Sequence, residues 1–392
     1  MSIEDWKSSI PMQIIRKITF KTKLATYICS NQNSMKLKIF FRILGIVAVI
    51  LTIFPYISWD SWIIRIFDFP HLQLTLLTLF ALLFYFIKFD LKNRLDYLFI
   101  GVLAACFLFQ TTKIFPYTAF SKLEIQDGSL DANGKISIYT ANVLQTNNNH
   151  EALIRDIEDF NAEVILLTET NRSWMSHISK EFRKKYPYKV EVPQENTYGM
   201  MLYSKLELFD ESVRYLVEDT IPSIHAKLIL EGKDTIQLLA IHPAPPTPQH
   251  NPSSVDRDAE MMKIAKISRN SKLPVIVMGD FNDVAWSQTT KLFQRVSGLL
   301  DLRKGRGFFS TYNAKNWIMR WPLDHIFTSS EFRVLQVELG AFINSDHFPF
   351  YTVLSFEPHI AKFQELPGAT KEELEKAFKE IKDEVEADVE DN

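Results

Sequence analysis

The 392-residue chain carries 44 Lys and Arg against 47 Asp and Glu, for a net charge of −3, and is 46% hydrophobic and 23% charged. That is chain enough for two or three domains of ordinary globular composition. Its two cysteines, Cys29 and Cys106, fall in the first third, which excludes a disulfide framework and a thiolate metal site from the remainder. The averages conceal a split: the first third is apolar and rich in Phe, Leu and Ile, the remainder is mixed, and the end is acidic. Net charge is therefore informative only region by region.

Residues 1–36 read as a basic N-terminal segment, and 37–117 as a region of three apolar helices at about 37–57, 72–89 and 95–112. Each is close to the length that crosses ~30 Å of hydrocarbon. Charges sit near the ends, where long side chains snorkel, and Tyr56, Trp59, Trp62 and Tyr117 supply an interfacial belt. Lys and Arg crowd residues 1–36 and the link between the second and third segments, whereas Arg65 alone marks the first link. The positive-inside rule then places the N-terminus in the cytoplasm and everything after the third crossing outside it. The chain is expected to be a multi-pass membrane protein with the lipid bilayer as its partner.

After a linker over 118–134, short apolar runs alternate with amphipathic helices through 135–360. Strands are predicted at Lys135–Ala141, Ala162–Thr168, Tyr198–Ser204, Ser223–Leu230, Thr235–His242, Pro274–Gly279, His325–Ser329 and Phe348–Phe356, and helices at His150–Phe160 and about Ser254–Asn270. Many strands with few crossing helices imply two packed sheets flanked by helices. In residues 365–392, Thr370 and Glu373 form a capping-box pattern. Leu374, Phe378, Ile381, Val385 and Val389 follow on one face of an acidic amphipathic helix, expected to be solvated or docked rather than catalytic.

Polar residues cluster at the strand ends: Asn142 in TANV, Glu169 in TET, His242 in IHP, Asp280 and Asn282 in GDFND, Asp324 in LDHIF, and Asp346 and His347 in SDHFP. Carboxylate and amide oxygens without cysteine suit a hard divalent cation. A histidine beside a carboxylate suits proton transfer, and Asn side chains suit phosphoryl oxygens. His325 follows Asp324 on a strand and should face the other way. Asp283 reads as a helix cap, Arg257 as part of a solvated helix face, and His225 and His250 as structural or exposed.

In this order, the set TANV, TE, HP, GDFN, LDHIF and SDHFP resembles the endonuclease/exonuclease/phosphatase superfamily over about residues 135–356. Thr168 departs from the pattern, since a Gln often precedes the metal-binding Glu. The resemblance implies a four-layer α/β/β/α sandwich, here preceded by three transmembrane α-helices. It implies that Glu169 ligates Mg²⁺ (or Mn²⁺) with Asn142 and Asp346. Asp280 would position or deprotonate water, Asn282 would bind the scissile phosphate, His347 would act with Asp324, and His242 would protonate the leaving group.

Membrane spans joined to such a domain resemble a bacterial membrane-anchored subgroup of the superfamily, which implies an extracytoplasmic phosphoesterase in the bacterial cytoplasmic membrane acting on a phosphorylated, lipid-linked substrate, with no obligate protein partner evident. A membrane-tethered nuclease and a non-catalytic binding or sensor module are the alternatives. The complete residue set disfavours the module. Near-equal acidic and basic counts over 135–362 weaken the nuclease, although Arg183–Lys185 and Arg303, Lys304 and Arg306 form local basic patches.

Overall fold

The computed structural model describes residues 12–54, 61–132, 134–247 and 252–390; Tyr56, Trp59 and His250 lie outside them. The chain divides into two compact units, one of residues 1–54 and 72–111 and the other of 55–71 and 112–392.

The first unit is helical: Met12–Ile53, His71–Phe86 and the start of Arg94–Ile114. The first helix runs unbroken from the basic segment through the first apolar stretch. Among the described residues, Arg94–Tyr117 is the one helical stretch long and apolar enough to cross a membrane by itself. Trp62–Asp68 and His71–Phe86, bent by 70°, would count as one more only if taken together. Lys38 and Arg42 turn inward rather than snorkel. Both meet the buried Asp96, Arg42 Nη2 at 2.8 Å, and the Tyr85 hydroxyl donates to the same carboxylate at 2.9 Å. A buried carboxylate must be paired, and these three donors do so.

The second unit holds two six-stranded mixed sheets. The first contains β1 (Lys135–Asn142), β2 (Val164–Thr168), β3 (Tyr188–Val192), β4 (Met200–Ser204), β11 (Phe332–Leu339) and β12 (Phe350–Phe356), in the order β11-β12-β1-β2-β4-β3. The second contains β5 (Leu208–Tyr215), β6 (Pro222–Ile229), β7 (Thr235–Ile241), β8 (Val275–Asp280), β9 (Leu300–Asp301) and β10 (Asp324–Thr328), in the order β5-β6-β7-β8-β10-β9. β1 and β2 run parallel, as do β7 and β8.

Alternation along the strands supplies three apolar layers. Ile136, Ile138, Val164 and Leu166 of the first sheet meet Leu238, Ala240, Ile276 and Met278 of the second. On the first sheet's outer face, Ile165 and Leu167 pack under Leu153, Ile157, Trp174 and Ile178 from the helices His150–Phe160 and Arg172–Phe182. Val275, Val277 and Phe327 pack under Met261, Met262 and Phe293 from the helices Val255–Asn270 and Gln288–Ser297. Helix, sheet, sheet and helix thus form four layers.

Two departures refine the reading. The acidic helix Lys371–Glu390 keeps its capping box, with Glu373 N donating to Thr370 Oγ1 at 3.2 Å and Thr370 N to Glu373 Oε2 at 2.7 Å. It docks through Leu374, Ala377 and Ile381, while Phe378 and Val385 stay exposed, so the buried face is rotated from the one predicted. Nor is 118–134 a free linker. Gly128 N donates to Val334 O, Ser129 N donates to Glu357 Oε1, and Ile125 enters the central core.

Candidate active site

Parallel pairing of β1 with β2 and of β7 with β8 sends their C-terminal ends to one rim, and β10, antiparallel to β8, begins there. Asn142 ends β1 opposite Thr168, and Glu169 follows β2. Asp280 ends β8 opposite Asp324, the first residue of β10. His242 follows β7, and Asp346 and His347 precede β12. The eight predicted residues therefore share one rim. Gly279 makes the close approach possible: at φ +141°, a Cβ there would lie 1.9 Å from Ile241 O.

One amide joins the two sheets. Asn142 Nδ2 donates to Glu169 Oε1 at 2.7 Å and to Asp280 Oδ2 at 3.0 Å, while its Oδ1 accepts from Leu144 N at 3.0 Å. So placed, Asn142 offers its nitrogen, not its oxygen, to the carboxylates. Glu169 and Asn282 both occupy the left-handed region, at φ 58° and 51°, a strain that surrounding structure must hold in place. Asn282 is held from three sides. Its N donates to Asp280 Oδ1 at 3.0 Å, its Nδ2 to Pro243 O at 3.0 Å, and its carbonyl accepts from Arg257 Nη1 at 3.0 Å.

His347 Nδ1 and Asp324 Oδ2 are 2.7 Å apart, and both residues are buried. Asp280 Oδ2 lies 3.7 Å from His347 Nε2 and 3.8 Å from His242 Nε2. Burial would raise the Asp280 carboxyl, but His347, His242, and the donors Asn142 Nδ2 and Asn282 N outweigh it and hold the group below the usual carboxylate range. Burial likewise opposes a charged His347, yet Asp324 and Asp280 push its imidazole up to about 10. Burial, with Asp280 added, leaves Asp324 raised despite the neighbouring imidazole.

Asp280, Asp324 and His347 bring one ligand atom each within 4.8 Å of one another. This buried trio is not the Asn142, Glu169 and Asp346 set assigned to the ion. Glu169 and Asp346 are only half-buried, and the Tyr312 phenol, raised first by burial, then by Asp346, Asp280 and Glu169, marks where these carboxylates converge. Among the described residues no Lys or Arg pairs with Glu169, Asp280 or Asp346. Glu169 and Asp346, half-buried carboxylates with no Lys or Arg partner among the described residues, fit a hard divalent cation.

Several contributors escaped sequence reasoning. Tyr312 packs on His347 with ring centres 5.0 Å apart. Thr311 Oγ1 accepts from Leu323 N and Asp324 N. Ser345 Oγ donates to Asn142 O at 2.7 Å and accepts from His347 N at 3.0 Å, tying the SDHFP turn to β1. Only Ser345 sat inside a recognised motif.

Arg257 corrects the solvated-face reading: it is buried, grips Asp258 Oδ1 through Nε and Nη2 at 3.0 and 2.8 Å, and backs the Asn282 turn. Asp283 is not the cap either. Ser287 caps the Gln288–Ser297 helix, and Asp283 accepts from the hydroxyls of Ser287 and Thr290. His325 faces away from the rim, stacked on Phe327, as alternation requires. His225 is a buried structural partner of Ser223, at 3.0 Å.

The sequence model described as "Endonuclease/Exonuclease/phosphatase family" matches residues 139–347, more than half of the chain. The chain belongs to the endonuclease/exonuclease/phosphatase family. Members are metal-dependent phosphoesterases or nucleases, and this chain is accordingly a metal-dependent hydrolase acting on phosphoester bonds. Similar solved structures include D. rerio TDP2 complexed with single strand DNA product, with 15% identity and a TM-score of 0.47 over 56% of this chain and 98% of that one. The human Nocturnin catalytic domain with bound sulfate anion is 17% identical, with a TM-score of 0.44 over 57% and 94%. An endonuclease/exonuclease/phosphatase from Bacteroides vulgatus is 16% identical, with a TM-score of 0.46 over 57% and 99%. No curated protein matches the chain.

Proposed function

We propose that this family member is a membrane-anchored phosphoesterase that hydrolyses a phosphoester or pyrophosphate, carried on a lipid at the extracytoplasmic face, by in-line attack of water. The observation that carries the hydrolytic reading is the bridge from Glu169 through Asn142 to Asp280, continued by the Asp324–His347 pair. Glu169 and Asp346 would hold Mg²⁺ (or Mn²⁺), with Asn142 contributing once its amide is turned. A bound divalent cation neutralises phosphoryl charge and orients water.

The remaining roles follow from the side chains. Asp280, kept ionised, accepts a hydrogen bond from the attacking water and aligns it. His347, kept protonated, places an N–H donor where negative charge builds, and Asp324 fixes its ring through Nδ1. One Asn282 amide hydrogen is used by Pro243 O, leaving the other for a phosphoryl oxygen. His242, whose Nε2 lies 3.8 Å from the same Asp280 Oδ2 as His347 Nε2, would protonate the leaving group.

Three features support the membrane and lipid part. The apolar stretch Arg94–Tyr117 ends inside the catalytic unit. The Lys/Arg asymmetry, combined with the three crossings expected from the sequence, would put that unit outside the cytoplasm. The Arg303, Lys304 and Arg306 patch is already neutralised, through Asp301, Glu124 and Asp127, which weakens a nuclease. The test gives full-length protein lipid phosphates in micelles beside single-stranded and duplex nucleic acid. Lipid turnover is expected to dominate; rapid nucleic-acid cleavage without lipid turnover would reject the lipid reading, and a reporter after Asn392 active only in the cytoplasm would reject the orientation.

A further inference from the structure

The loop between Tyr312 and Trp321 is built in a way that phosphoester hydrolysis does not require. Its own hydrogen bonds fold it. Asn316 Oδ1 accepts from Ile318 N and Met319 N, each at 3.0 Å, Lys315 N donates to Asn313 Oδ1 at 2.8 Å, and Tyr312 N donates to Trp321 O at 2.9 Å. Ala314 N donates to Asp346 O at 2.7 Å, so the loop is also fastened to the site. Yet its tip displays three large apolar side chains in a row: Trp317 is 84% exposed, Ile318 54% and Met319 42%. Scattered exposed apolar residues are ordinary, but a contiguous patch on a hydrogen-bonded loop marks a surface that meets something apolar.

The base of the loop indicates what that is. Trp321 packs edge-on against Phe69, with ring centres 5.6 Å apart, and Tyr117 packs against Trp286 at 5.9 Å. All four belong to one cluster with Val284, Ala285 and Leu323. Phe69 is two residues before the helix His71–Phe86, and Tyr117 ends the apolar stretch Arg94–Tyr117. The loop thus springs from the cluster where the chain passes into its apolar helices. Four residues of arm reach at most ~14 Å from such a base, comparable with the ~5–10 Å depth of interfacial elements. Lys315, exposed beside the apolar tip, is placed for anionic headgroups, and Trp favours this boundary.

We propose that the tip Lys315–Met319 enters the headgroup boundary of the bilayer that anchors the chain and brings the active-site rim to lipid-borne phosphoesters. This deepens the membrane reading above and rests on it. The test reconstitutes full-length protein into phosphatidylglycerol and phosphatidylethanolamine vesicles, with or without bromine on the upper acyl chains. Trp317→Phe subtracts one indole from the seven. The expected result is bromolipid quenching that is clearly weaker in Trp317→Phe than in the unmodified protein, with Trp59 and Trp62 supplying what remains. In parallel, Trp317→Ser combined with Met319→Ser should lower turnover of a vesicle-borne lipid phosphoester about tenfold, the weight of burying such side chains, and leave a water-soluble short-chain phosphoester unaffected. Quenching identical in both proteins, equal losses on both substrates, or a Trp317 response to single-stranded oligonucleotide but not to vesicles would each overturn the proposal. Quenching needs no turnover. A protein inactive on every lipid phosphoester would therefore sink the lipid-substrate reading, with quenching still deciding whether the loop enters the bilayer.

Discussion

Asp280, Asp324 and His347 lie buried and answer one another's charge, whereas Glu169 and Asp346, at the outer edge of the same rim, stay half-exposed with few donors of their own. Glu169 accepts from Asn142 Nδ2 and, at 3.3 Å, from Gln145 N, and the Asp346 carboxylate accepts from Ser345 Oγ at 3.5 Å. The buried side is complete as protein: an imidazolium flanked by carboxylates in a low-dielectric setting, where each interaction is strengthened. The outer side is incomplete as protein and needs positive charge from elsewhere. On the proposed reading, the buried half would hold protons and geometry, and the outer half would take a cation and a phosphoryl group.

The sharpest way to break that division is in the buried half. His347→Ala is expected to lower kcat by about 10²–10⁴-fold, the range for positioned proton-transfer groups. Adding Asp324→Ala should cost little more, because the pair acts as one unit. Strictly multiplicative losses in steady-state kinetics would show that the two side chains work apart.

Next comes what stands behind the buried half. Arg257→Met leaves Asp258 and Asp283 without the guanidinium between them and frees the Asn282 carbonyl. Removing one partner of a buried pair costs about 3–5 kcal/mol, readable in chemical denaturation as a lower midpoint with turnover falling alongside. A midpoint unchanged within error would mean that Asn282 is held without Arg257.

The smallest effect belongs to the open half. Glu169→Gln keeps the shape and the bond from Asn142 but removes a charge. Its stability should stay near that of the unmodified protein, while the Mg²⁺ needed for half-maximal turnover rises roughly 10–100-fold, as when a metal site loses part of its support. Full activity of the unmodified protein in excess chelator would remove the distinction between the halves altogether.

The eight rim residues were legible because each stood where an apolar run stopped, and several polar groups gathered at strand ends are not demanded by the packing of those strands. The central strands were legible for a related reason. β1, β2, β4, β7, β8 and β12 are sheltered on both faces, and their runs are nearly continuous in apolar residues. Each of the four strands that went unread, β3, β5, β9 and β11, closes an edge of its sheet. YKVEV and LFDESVRY, with one side toward water, mix charge with apolar residues as an edge does, and nothing local separates them from loops. Helices Arg172–Phe182 and Gln288–Ser297 also went unread, although Trp174, Ile178 and Phe182 recur every four residues, the spacing of one helical face.

By itself, then, the sequence determined the alternation of strands and helices, the rim residues, and the apolar character of the first third, since each is written in local periodicity and residue type. Tertiary structure alone decided partnership. It set Asn142 across the gap between the sheets, took Arg257 out of solvent to hold Asn282, and turned the tail helix onto Ala377 rather than Phe378. It also carried Trp317 outward on a hydrogen-bonded loop beside His347. Such pairings join residues far apart along the chain, and which group meets a buried charge or an apolar face is fixed only when packing has closed around it.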